Sequence, residues 1–205
     1  MNINKLFITA IAGSLIISAC KKKSDDSSST PTPTPTPTTS VICDGNGSSS
    51  YFPLALNNQW KYKDDQSSGI TWTLNDTATT SGNLYFTIDD LNGDLIFTTT
   101  KLRADASGNI YLKDGTGEYL YVPANPVVGT TTPYLGATSF KVKSLTAAIT
   151  TDSCSYTNLL EMDVITSGGT ANRYYYYKKG IGMVAYRDTL VGIPRAVNLK
   201  QITLH

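Results

Sequence analysis

Alternation is what most limits the fold of this chain. Trp60 and Tyr62 alternate with Lys61 and Lys63, and Ile70, Trp72 and Leu74 alternate with Thr71 and Thr73. Leu84, Phe86 and Ile88 repeat the pattern against Tyr85 and Thr87. Successive side chains of an extended strand point to opposite faces, so a period of two marks strands with one buried and one wet face. An amphipathic helix would need a period near 3.6, and no stretch after Tyr51 shows one.

Further strands are expected at 101–104, 109–113, 119–122, 139–149, 159–165, 172–178, 182–187 and 197–204. Asn92-Gly93, ahead of Leu95-Ile96-Phe97, has the residue types of a tight hairpin turn, because both tolerate positive φ. The Pro- and Gly-rich stretch 123–136 reads as a long rim loop. Thr and Tyr, abundant here, suit pleated surfaces better than helices. About ten strands joined by hairpins predict an all-β domain built on a single antiparallel sheet. That sheet must curve strongly into a half-barrel or open barrel, since a flat one would expose a damaging edge and face.

The N-terminus is read separately. Residues 1–19 have the form of an export signal: a weakly basic start, then Leu6 to Ile17, apolar and too short to span a bilayer. It closes on Ile17-Ser18-Ala19-Cys20. Small residues there suit a narrow protease site, and a cysteine thiol can carry a diacylglycerol thioether. The segment resembles the lipobox of bacterial lipoproteins, which makes Cys20 the acylated first residue of the mature chain. Two or three acyl chains anchor far better than one, because each buried methylene contributes about 0.8 kcal/mol. Lys21-Lys22-Lys23-Ser24-Asp25-Asp26 loosely resembles the charged segment that sends lipoproteins of Bacteroidota to the cell surface. The expected location is the outer membrane, periplasmic or surface-facing, with a lean to the surface. Residues 20–50 form a disordered tether, and alternating Pro and Thr from Pro31 to Thr39 make part of it a semi-rigid spacer. Fully extended, residues 21–50 reach about 90 Å. The β domain is expected over 51–205.

Two cysteines follow the tether. In an oxidising compartment Cys43 and Cys154 are expected to form a disulfide, which on the chain-entropy model contributes roughly 4–5 kcal/mol. Two free thiols are the alternative.

Charge and chemistry narrow the function. The chain has a formal net charge of +1, and removing the signal removes Lys5, its only charged residue. A neutral domain lacks the basic excess that nucleic-acid binding uses, so no such partner is expected. The single histidine is His205, so no Ser/His/Asp triad, Cys/His pair or multi-histidine metal site can be assembled. Asp90-x-Asn92-Gly93-Asp94 begins like a calcium loop, but Leu95 and Lys101 stand where Gly and Glu are required. Gly180-Ile181-Gly182-Met183 lacks the third glycine and the helix of a phosphate loop and reads as a turn. No catalytic residue, metal or cofactor is expected.

The run Tyr174-Tyr175-Tyr176-Tyr177 places Tyr174 and Tyr176 on one face of a strand. With Trp60, Tyr62 and Trp72 they either line a site for a lipid or a sugar ring or belong to the core. The frame Tyr51-Phe52-Pro53-Leu54, Asn58-x-Trp60-x-Tyr62, Tyr174 to Tyr177 and Lys179-Gly180-Ile181-Gly182-Met183-Val184 resembles a group of uncharacterised bacterial exported lipoproteins. That resemblance spans residues 51–205 and implies a curved sheet with no assigned active site; its shape is similar to the half-barrel of periplasmic lipoprotein carriers. Asp76-Thr77-Ala78 and Asp188-Thr189-Leu190 resemble the short sites that Bacteroidota O-glycosylate, which marks Thr77 and Thr189. The expected function is a non-enzymatic binding or structural module of the envelope, held to the membrane by its lipid. A carrier of a hydrophobic ligand, a surface glycan-binding or adhesion module, and a carboxylate-based hydrolase are the alternatives. Oligomeric state is not legible.

Overall fold

A computed structural model of the chain describes residues 43–90, 100–115, 117–134, 138–166, 169, 171–189 and 194–205. Cys20, the Pro/Thr spacer, the Asn92-Gly93 turn and the 95–97 segment lie outside them. No helix occurs among the described residues. The strands are β1 (Gln59–Asp64), β2 (Ile70–Thr80), β3 (Asn83–Asp90), β4 (Lys101–Ala104), β5 (Ile110–Lys113), β6 (Glu118–Val122), β7 (Thr131–Pro133), β8 (Ser139–Thr150), β9 (Ser155–Ile165), β10 (Ala171–Lys178), β11 (Gly182–Asp188) and β12 (Arg195–Thr203).

These form one 12-stranded sheet in the order β6-β5-β4-β3-β2-β1-β12-β11-β10-β9-β8-β7. Every neighbouring pair is antiparallel. The sheet is all-β, strongly curved and nearly closed. Its first and last strands pair at the middle of the order, with Gln59 opposite Thr203, and its seam falls between β6 and β7. Aromatic rings bridge the seam: Tyr119 and Tyr134 lie 6.1 Å apart and Tyr121 and Phe140 5.6 Å apart.

Two expectations need correction. The stretch 123–136 is not wholly a rim loop. It contains β7, and Gly129 N–H donates to Val142 O at 2.8 Å while Val142 N–H donates to Thr130 O at 2.9 Å. Three consecutive threonines favour extended chain there, and an edge strand tolerates Pro133. In β3, Leu84 is exposed and Tyr85 is buried, against the expected alternation. Leu84 lies where the β2–β3 hairpin overshoots β1. The Tyr85 hydroxyl donates to Glu118 at 2.8 Å, and the Lys113 ammonium sits 4.9 Å above its ring.

Antiparallel alternation sorts the turns to two ends. The proximal end holds the start of β1, the β2–β3 tip, the 105–109, 123–130 and 179–181 connections, and His205. Residues 43–50, placed in the tether by composition, are bonded to the sheet at this end: Gly180 N–H donates to Ser50 O at 2.7 Å, and Asn46 N–H donates to Gly180 O at 3.4 Å. The distal end holds the 65–69 turn, Asp114, Gly115, Gly117, Thr189 and Pro194 and carries ion pairs. Arg195 meets Asp64 at 2.6 Å and Arg173 meets Asp188 at 3.0 Å.

The β8–β9 hairpin does more than extend the sheet. Only Leu160–Ile165 of its second strand finds partners on β10. Beyond Asn158, whose φ of 54° turns the strand, the hairpin folds back over the outer wall. Lys178 Nζ donates to Thr157 O at 3.0 Å, Lys63 pairs with Asp152, and a crevice of about 290 Å³ separates Asp152 and Ser153 from Asn198 and Lys200 of β12. Cys43 is disulfide-bonded to Cys154, with Cα atoms 5.5 Å apart. Met183, Val184, Ala185 and Tyr186 are all buried, so β11 is covered on both faces.

Candidate functional site

Three of the aromatic residues singled out by sequence sit inside the barrel. Trp60 and Trp72 are fully buried and Tyr62 nearly so. The Phe52 ring lies 5.0 Å from Trp60, 6.4 Å from Trp72 and 6.5 Å from Tyr121, plugging the proximal opening. Tyr62 meets Trp72 edge-on at 4.9 Å. Tyr175, Tyr177 and Phe140 fill the wall opposite, and the Tyr177 hydroxyl donates to that of Tyr121 at 2.6 Å across the interior. The interior at this level is packed with rings rather than open.

The two ends of the sequence frame meet here. Trp60 Nε1–H donates to Ile181 O at 2.6 Å, and the Tyr62 hydroxyl donates to Met183 O at 3.1 Å. A Cβ on Gly182 would lie 2.8 Å from Trp60 Nε1, and one on Gly180 2.9 Å from Asn46 Oδ1. Asn58, buried beside them, donates from Nδ2 to Pro53 O at 2.9 Å and accepts the His205 N–H at 2.8 Å. The glycine turn therefore exists to admit the indole and the entering chain. It is a structural latch.

Tyr174 and Tyr176 lie on the other side of the wall. Period two puts their neighbours Tyr175 and Tyr177 inward and these two outward, half-buried. Cross-strand pairing sets Tyr174 beside Asp163 and Tyr176 beside Glu161. Lys143 of β8 completes the group, its ammonium 3.0 Å from Glu161, 4.0 Å from Asp163 and 4.9 Å above the Tyr174 ring. The Tyr176 hydroxyl donates to Glu161 at 3.4 Å.

Asp163 is 7% exposed, and its Oδ1 has no hydrogen-bond partner. Burial pushes its pKa up, against the pull of Lys143. Burial also raises the Tyr176 pKa, helped by Glu161. This outward ladder offers aromatic faces, acceptor oxygens and one movable cation, which is binding chemistry. Sequence reasoning missed Glu161, Asp163 and Lys143. Their signal was the alternation of Leu160, Met162 and Val164 with the two acids, but only pairing could set those acids beside the tyrosines.

Asp64, Glu118 and Asp188 are engaged by arginine. Burial would raise the Asp64 pKa, but hydrogen bonds from Arg195, Ser67 and the Gln66 backbone outweigh it and hold it low. The Arg103 guanidinium holds Glu118 low against burial, with Tyr85 assisting. Neither keeps a proton for acid catalysis near neutrality. Thr77 and Thr189 are both exposed; the Thr189 hydroxyl donates to Asn172 O at 3.2 Å. Among the described residues no group of three or more His, Cys, Asp or Glu is placed to hold a metal ion.

No known family profile matches the chain, and no curated protein matches it. Two solved structures are similar to it at low identity. One is a protein described as exported, with a YmcC-like fold, from Bacteroides fragilis: 12% identical, TM-score 0.41, covering 74% of this chain and 97% of that one. The other is a protein described as a lipoprotein from Parabacteroides distasonis: 12% identical, TM-score 0.43, covering 76% of this chain and 99% of that one.

Proposed function

We propose that this chain is an outer-membrane lipoprotein anchored through Cys20, whose β domain is a non-enzymatic module working through its outer surface. The ring-filled interior carries the reading. A carrier of hydrophobic molecules needs an open apolar cavity, and here Phe52, Trp60, Trp72, Tyr121, Phe140 and Tyr177 occupy that space. A carboxylate-based hydrolase needs two acids facing each other across a cleft; Asp64 and Glu118 are each held low by an arginine, and Glu161 and Asp163 share the Lys143 ammonium on the outer wall. The lipid anchor, the tether up to the disulfide and the surface-facing orientation belong to the same proposal. Cys20→Ala should move the protein from the membrane to the soluble fraction and remove the acyl mass from the intact chain. Retention in the membrane by that variant, with no acyl mass on the wild type, would sink the reading.

A second reading has its own observation. The outward pair Tyr174 and Tyr176, with the half-exposed Lys143 ammonium beside them, suits a neutral polyhydroxylated ligand, with sugar rings stacked on tyrosine and hydroxyls accepting from the ammonium. Tyr176→Ala should abolish retardation of the protein in gels containing a bound polysaccharide while leaving its melting curve close to wild type. Equal retardation of both forms would reject a glycan site at this face.

A further inference from the structure

Among the described residues four large hydrophobic side chains are exposed: Leu56 at 44%, Leu84 at 50%, Val127 at 65% and Val128 at 57%. Scattered singly they would mean little. All four stand at the proximal end. Leu56 precedes β1, Leu84 follows the β2–β3 tip, and Val127 and Val128 lie in the connection below β6 and β7. The same end holds a depression of about 370 Å³ whose lining is mixed, with Phe52, Pro53 and Leu54 beside Asn46, Ser48 and Asn58. The valines are not there by fraying. Thr130 N–H donates to Val127 O at 3.0 Å, and Gly129 N–H donates to Val142 O at 2.8 Å, so a fixed turn presents them. The distal end, by contrast, carries the Asp64–Arg195 and Arg173–Asp188 pairs. Among the described residues the exposed large hydrophobic side chains gather at one end of the domain and these ion pairs at the other.

The chain enters the fold at the proximal end, where Asn46 and Ser50 are bonded to the Gly180 turn. The stretch from Cys20 to Cys43 reaches at most about 70 Å, enough to hold the domain off a surface or to let it settle back. We propose that the proximal end rests on the lipid surface that holds the anchor, with Leu84, Val127 and Val128 seated in the interfacial layer. The proposal rests on acylation of Cys20. Tethering supplies an effective concentration in the millimolar range, so a contact too weak to recruit a free domain suffices for an attached one. Contact at this end turns the distal loops away from the membrane and leaves the outer wall upright beside it.

The test uses the full acylated chain in phospholipid vesicles containing brominated acyl chains, which quench an indole that reaches them. Trp60 and Trp72 are buried in the barrel and give a constant background. Val128→Trp should lose emission in brominated vesicles relative to ordinary ones, and Ser68→Trp, at the distal end, should not. Adding Val127→Asp and Leu84→Asp to the Val128→Trp chain should restore the emission without changing the circular dichroism. Flotation of the protein with vesicles but equal emission in both lipid types would overturn the resting contact and leave the anchor standing. Loss at both probe sites would also overturn it, since that is a domain without orientation. Failure to float would overturn the anchor and the contact together.

Discussion

Gly182 shows how one residue can be required by another that lies far off in the sequence. Its φ of +111° and its contact with the Trp60 ring make any side chain there both strained and obstructed. Gly182→Ala should cost about 2 kcal/mol or more, from positive-φ strain plus displacement of the indole. Gly47→Ala, at φ +81° but with open space around it, should cost only about 1 kcal/mol. Urea titrations of the two variants measure the difference, and equal losses would show that the indole contact adds nothing. Asp64 supports a second prediction, with a sign. Its pKa is held below the ordinary carboxylate value, so its contribution to stability is complete above that value and is lost as pH falls through the folded-state pKa. Asp64→Asn, which strands the Arg195 guanidinium, should therefore cost about 3 kcal/mol at pH 7. The gap to wild type should close below about pH 4. A gap that stays constant down to acid pH would mean that the charge pair is not its source. At this scale the sequence showed that Trp60 and the Gly-x-Gly turn recur in one frame but not that they touch, because the hydrogen bond joining them spans the chain.

The strands were the most legible elements. Burial against one wet face imposes the period of two locally, and β4, β8, β10 and β11 lie within a residue or two of where it placed them. Two elements escaped. β7 is an edge strand of three residues, too short to alternate, and its pairing with β8 decides its structure. The outer half of the β8–β9 hairpin reads in sequence like any strand pair; its fold-back depends on Asn158 and on tertiary contacts with Lys63 and Lys178. The disulfide pins that hairpin. Cys43→Ser with Cys154→Ser should cost about 3–5 kcal/mol, and amide exchange should quicken at 145–157 while β10 and β12 keep their protection until global unfolding. Uniformly faster exchange would mean that the hairpin is no separate unit.

At the scale of the whole domain, the twelve described strands form a meander opened in its middle. Reading across the sheet from β7 to β12 and then from β1 to β6 visits every strand in spatial order. The tail is already beside the start of β1, where His205 N–H meets Asn58 Oδ1 at 2.8 Å. A permutant that joins His205 to Tyr51 by a short linker and begins at Val128 gives up the Cys43–Cys154 bond but should keep the fold, and it should fold faster because every strand pairing of the ladder becomes local and only the ring contacts across the seam stay distant. Stopped-flow tryptophan fluorescence measures this; a permutant that refolds more slowly, or without the native spectrum, would show that the β1–β12 pairing must form within the original connectivity. The curved sheet was legible because a strand count of this order cannot lie flat, whereas the candidate binding face was not, because the outer ladder draws on three separate strands. The crosslink also decides where mechanical load goes. Tension arriving through the chain ahead of Cys43 crosses to Cys154 and enters the sheet by way of β9. The covalent route leaves residues 44–58 slack, so the Phe52 plug and the Trp60 latch stay seated while the domain is tugged.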